Sequence, residues 1–135
     1  MSKEKAVIDG VNAAYLEAPR QPRANIRNIF TIVRAVQAGG RDPIVVIDPT
    51  NRSIITDAAE FHAVLGNIQL VTVPPGEDIE RVVLQTAEHH NAVIVSNNTY
   101  AQHYEEYPWI EQRRIPVALI NGTVLLLENR FSRAS

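Results

Sequence analysis

The sequence predicts an α/β domain in three layers, α/β/α, around a mostly parallel central sheet, finished by a C-terminal hairpin. Three observations predict it. Short apolar runs alternate with segments whose apolar residues recur at helical spacing. The first four runs each stop at polar or turn-forming residues: Asp9-Gly10, Asp48-Pro49, Pro74-Pro75 and Ser96-Asn97. Asn121-Gly122 separates the last two runs and suits the two positive-φ positions of a type I′ turn. No repeat or linker interrupts this alternation, so one domain is expected over residues 1–128, with a polar tail at 129–135.

Residues 5–9 read as the first strand, and 15–23 as a loop carrying Pro19 and Pro22. Ile26, Ile29, Phe30, Val33 and Val36 form one stripe of a helix that starts near Ala24 and ends at Gly39-Gly40. Residues 43–48 are apolar almost without a break, as in a strand buried on both faces, and Pro49 stops them. A second helix begins at Thr56 or Asp57, with Asp57 and Glu60 spaced as a capping box and Phe61, Val64 and Leu65 inward. Residues 68–73 give a third strand. A helix over 77–90 turns Ile79, Val82, Val83, Thr86 and Ala87 inward, and 92–95 give a fourth strand. Residues 99–106 suggest a short helix and 109–113 one further turn. The runs 115–120 and 123–127 pair through Asn121-Gly122, and the first of them is free to join the main sheet.

A chain of 135 residues, 45% hydrophobic, suffices for a single core. The formal charge of −2 neither announces nor excludes a nucleic-acid partner, because local patches decide that. The absence of cysteine excludes disulfide frameworks and thiolate zinc sites. Met1 to Lys5 leads into a short strand rather than a secretion signal, and no run is long enough to span a bilayer. A cytoplasmic protein without membrane contact is the expectation. Tyr107 and Trp109 either mark a homodimer contact or belong to the core.

Topology brings the polar chemistry to one edge. In a parallel sheet Asp9, Asp48, the acids Glu77, Asp78 and Glu80, and Asn97-Asn98 all follow the carboxyl ends of strands, where ligands bind. Carboxylates converging there hold Mg²⁺ or Mn²⁺, and such an ion activates water and stabilises a phosphoryl transition state. Each residue also has a plainer role. Asp9 would cap its own turn, although Gly10 and Asn12 beside it favour chemistry. Asp48 is an ordinary turn acid before Pro49, and acids at 77, 78 and 80 complement a helix dipole. Ser96-Asn97-Asn98 would equally cap a helix. Glu77 points away from the core, whereas Asp78 and Glu80 flank the buried stripe and either reaches the edge.

No histidine is expected as a ligand. His89 and His90 are adjacent, face different ways and sit at a helix C-terminus, while His62 and His103 are isolated. Arg20, Arg23 and Arg27 surround the loop after the first strand, and Arg52 follows the second. They suit phosphates, with Tyr15, Tyr100 or Tyr104 to stack on bases, though solvated loop arginines look the same. There is no Walker-type lysine loop and no dinucleotide fingerprint. Val11 stands where a haloacid dehalogenase-type phosphatase needs its second aspartate, and a receiver-like domain leaves Ser-Asn-Asn-Thr-Tyr without a role.

The ordered set Val-Ile-Asp-Gly-Val-Asn (7–12), Pro-Thr-Asn-Arg (49–52), Ile-Thr-Asp (55–57) and Val-Ile-Val-Ser-Asn-Asn-Thr-Tyr (93–100) resembles the NYN ribonucleases, relatives of the PIN nucleases. Within them it is similar to the catalytic domain of the Regnase-type, CCCH-zinc-finger endoribonucleases, over about residues 5–127; without cysteine this chain carries no such finger. The resemblance implies a PIN-like (Rossmann-like) fold and a Mg²⁺-dependent endoribonuclease, Mn²⁺ being an alternative, that acts on single-stranded or loop RNA. It implies metal binding by Asp9 with Asp78 or Glu80 and a place for Asn12 beside them; together with the reading of the sheet edge, Asn12 and Asn98 would complete a catalytic set, and Arg20, Arg23, Arg52, Asn97 and Tyr100 would contact RNA. Counting back without gaps from Ser96-Asn97 puts the second acid at Glu80, while anchoring on the acid before the apolar helix puts it at Asp78. The family usually has aspartate where this chain has Asn98 and Gln102. An amide offers only a neutral oxygen and cannot act as a base. A weakened nuclease follows, or else an RNA-binding or protein-interaction module on the same fold.

Overall fold

The computed structural model describes residues 3–16, 25–49 and 58–128, with the backbone alone at 58–61. Strands β1 (Lys5–Asp9), β2 (Asp42–Ile47), β3 (Gln69–Thr72), β4 (Val93–Val95) and β5 (Arg114–Ile115) form one sheet in the order β3-β2-β1-β4-β5. Every pairing in it is parallel. The chain moves outward from β1 to β3, then crosses back to β4 and β5 on the other side of β1. The carboxyl ends of β1 and β4 therefore flank the switch point of the sheet, where α/β folds bind ligands.

Alternation along the strands builds two cores. Ala6, Ile8, Val45, Ile47, Val93 and Val95 face one side and pack against Ile29, Ile32, Val33 and Val36 of α2 (Ile26–Ala38). Val7, Ile44, Val46 and Ile94 face the other and meet Val82, Val83, Leu84 and Ala87 of α4 (Ile79–His90). Both faces of the sheet are covered, as the unbroken apolar runs require. Among the described residues no helix is long and apolar enough to cross a membrane.

The departures from expectation are local. A helix of five residues, α1 (Gly10–Ala14), starts directly at the end of β1, where the sequence showed no element because one turn carries no periodicity. Gly10 is required there: a Cβ would lie 2.5 Å from the Val46 carbonyl oxygen. α2 starts at Ile26 rather than Ala24, because the Asn25 side chain accepts from the Arg27 N–H and caps it. In α3 (Ala58–Leu65) Val64 is 43% exposed rather than inward, while Leu65 packs on the core. The helix expected over 99–106 contracts to a 3₁₀ turn, Ala101–His103, because Tyr100 takes a positive φ.

The run 115–120 is split. Pro116 ends β5 after Ile115, and among the described residues β6 (Val117–Ile120) pairs with β7 (Thr123–Leu126) alone, in a separate antiparallel hairpin. Asn121 and Gly122 both have positive φ, as the type I′ turn needs. Tyr107 is buried beneath the short helix α5 (Ile110–Arg113), and Trp109 leans edge-on against it with Arg113 over its ring. Both aromatics thus serve the core. The Asp57–Glu60 capping box, the Phe61 side chain and the tail at 129–135 lie outside the described residues.

Candidate functional site

At the end of β1, Asp9 is 3% exposed and fills the plainer of the two roles expected of it, that of a cap. One carboxylate oxygen accepts from the Asn12 N–H at 3.0 Å and caps α1; the other accepts from the Tyr100 hydroxyl at 2.7 Å. Burial pushes the Asp9 pKa up; the Tyr100 and backbone hydrogen bonds pull against it, and the Glu80 charge adds to the rise. Burial, reinforced by the Asp9 charge, likewise raises the Tyr100 pKa and keeps its hydroxyl a donor.

The loop after β4 is knitted to this point by amides. Asn12 Oδ1 accepts the Asn97 N–H at 2.9 Å, joining the ends of β1 and β4. The Asn97 side chain donates to the Val117 carbonyl at 2.8 Å and accepts the Val117 N–H at 2.7 Å, so it holds β6. Asn98 donates its N–H to Ser96 Oγ and accepts the Tyr100 N–H, which shapes the loop rather than capping a helix. Its side-chain nitrogen donates to Glu80 Oε2 at 3.0 Å.

Glu80 belongs to the first turn of α4, whose N-cap is Asp78, accepting the Glu80 N–H at 3.0 Å. Gln102 donates to Glu80 Oε1 at 3.2 Å. His103 Nε2 stands 3.3 Å from Glu80 Oε1 and 3.8 Å from Asp78 Oδ2. One ligand atom from each of Asp78, Glu80 and His103 lies within 4.8 Å of the other two. His103 is buried, and its Nε2 makes no hydrogen bond among the described residues. Two carboxylates beside an imidazole nitrogen without a hydrogen bond are a donor set that fits a divalent cation.

The structure thus brings Asp78 and Glu80 together instead of choosing between them, and it adds His103. Asp9 is outside this trio and reaches it through the chain Asp9–Tyr100–Asn98–Glu80. Tyr100 is corrected as a stacking platform: at 1% exposure its ring meets no base. Asn97 spends its amide on Val117 and its N–H on Asn12, so it builds the loop. Arg20, Arg23 and Arg52 lie outside the described residues. His103 was missed because nothing local marks it. The one signal was its place in the short turn after β4, which must return over the N-terminus of α4.

No curated protein matches this chain significantly. Solved structures do. The nuclear protein-only RNase P 2 of Arabidopsis thaliana aligns with 93% of this chain at a TM-score of 0.73 and 14% identity, a likeness of fold. The chain spans 30% of the length of that protein. A family model described as the Zc3h12a-like ribonuclease NYN domain matches residues 2–134. This chain belongs to that family of NYN ribonuclease domains.

Proposed function

We propose that the domain is a metal-dependent endoribonuclease that hydrolyses phosphodiester bonds in single-stranded or loop RNA, its activity tempered by the amides at positions 98 and 102. The observation that carries the reading is the Asp78–Glu80–His103 cluster, linked to buried Asp9 by hydrogen bonds through Tyr100 and Asn98, at the switch point of a ribonuclease-family fold. Asp78, Glu80 and His103 would hold a divalent ion, Mg²⁺ or Mn²⁺, with Asp9 contributing from beside them. When bound, such an ion supplies Lewis-acid charge to the phosphoryl group and makes water easier to ionise near neutral pH.

The chain's own residues do the remainder. Tyr100 orients the Asp9 carboxylate and opposes its protonation, so that Asp9 stays a hydrogen-bond acceptor at the edge. Asn98 and Gln102 orient Glu80 by donating to its two oxygens. Asn12 fixes the backbone of the loop that carries Asn98. Arg20, Arg23 and Arg52, in the segments that follow α1 and β2 in sequence, would grip the RNA backbone.

A second reading has its own support. The same two amides satisfy both Glu80 oxygens without any cation, as expected of a module that binds RNA or protein without cleaving. The test is incubation with fluorescent single-stranded RNA in Mg²⁺, Mn²⁺ or EDTA, alongside Asp9→Asn and Asn98→Asp. Expected are metal-dependent cleavage, its loss in Asp9→Asn and a gain in Asn98→Asp. Binding without cleavage selects the second reading. Absence of RNA binding overturns the first reading and leaves only a protein-interaction role for the second.

A further inference from the structure

We infer that His103 is itself a metal ligand, and that the Asp78–Glu80–His103 centre selects a first-row transition ion such as Mn²⁺, Co²⁺ or Zn²⁺ over Mg²⁺. The inference rests on the metal-dependent reading of this edge and deepens it. Its independent observation is the buried imidazole: His103 is 9% exposed, and its Nε2 points at two carboxylates without making a hydrogen bond. A buried imidazole nitrogen lodged 3.3 Å and 3.8 Å from two carboxylate oxygens, with no hydrogen bond to either, is placed so that one cation between them would satisfy all three donors.

The donor chemistry then sets the preference. Mg²⁺ demands oxygen ligands and keeps several waters, whereas imidazole suits the softer divalent ions. Glu80 remains competent as a ligand despite its amides. Each carboxylate oxygen has two lone pairs, and Asn98 and Gln102 take one on each. Such supporting hydrogen bonds hold a ligand's orientation in metal sites. The two amides therefore aim Glu80, leaving His103 to supply the third donor. Asp78 keeps one oxygen on the Glu80 N–H and turns the other toward His103.

The experiment uses the whole chain stripped of metal. Co²⁺ is titrated by visible absorption, Mn²⁺ is examined by pulsed EPR for coupling to an imidazole nitrogen, and Mg²⁺ is measured by competition. Expected are tighter binding of Co²⁺ and Mn²⁺ than of Mg²⁺ and an imidazole nitrogen coupling on Mn²⁺. In His103→Gln that coupling vanishes and Co²⁺ affinity falls by about 100-fold, since losing a ligand costs at least what losing its support costs. Asp78→Asn keeps the helix cap, so it serves as the second variant, with weakened Co²⁺ binding and retained nitrogen coupling. Circular dichroism checks that each variant folds. An uncoupled Mn²⁺ signal, Co²⁺ affinity unchanged in a folded His103→Gln, or Mg²⁺ binding as tight as Co²⁺ overturns the inference. RNA cleavage in Mg²⁺ without nitrogen coupling leaves the ribonuclease reading standing and removes this one; nitrogen coupling without RNA cleavage does the reverse.

Discussion

Tyr100→Phe deletes one oxygen and leaves the ring's packing in place. The lost contact is a buried 2.7 Å hydrogen bond from a hydroxyl to Asp9 Oδ2, a length typical of a charged acceptor. Bonds of that kind contribute about 2 kcal/mol, roughly 6 °C in Tm for a domain of this size. The pH dependence follows from linkage. Asp9 has a folded pKa above its unfolded value, so the folded protein holds the proton more tightly. Stability from this site is full below the unfolded pKa and is lost as pH rises toward the folded one. Removing the hydroxyl raises the folded value further and extends the loss to higher pH. Thermal and urea unfolding of both proteins at acidic and neutral pH should show a gap that widens as pH rises. Equal stability at neutral pH, or a gap larger in acid, would refute the reasoning.

Gly10→Ala places a Cβ 2.5 Å from the Val46 carbonyl and must part β1 from β2. Overpacking of backbone costs about 2 kcal/mol, read as a lower midpoint in urea. Asn97→Ala removes both side-chain bonds to Val117 and should cost about 2 kcal/mol. Hydrogen exchange at the Val117 N–H should quicken by far more than at Ile8 in the central strand, and equal change at both sites would argue against a local tie.

The sheet was legible because its chemistry is short-ranged. Val7-Ile8 and Ile44 to Ile47 are apolar without interruption and bounded by turn-forming residues, as in a strand covered on both faces. Asp9 was legible for the same reason, as the first polar residue after a buried strand. What escaped depends on contacts far apart in sequence. His103 meets Glu80 across 23 positions, and no periodicity relates them. Tyr100 looked like a surface aromatic until its positive φ turned it inward onto Asp9. Pro116 was visible in the sequence, but it is tolerated at strand edges and bulges, so it did not by itself divide the run.

The letters of Asp-Gly-x-Asn each have a mechanical duty. Asp9 starts a helix, Gly10 leaves room for the backbone of the next strand, and Asn12 fastens the loop beyond β4. A descendant that no longer cut RNA would still need all three to stand upright. The motif is therefore accounted for by architecture, and what it adds to the site is one buried carboxylate, Asp9, beside the side chains at 78, 80, 98, 102 and 103.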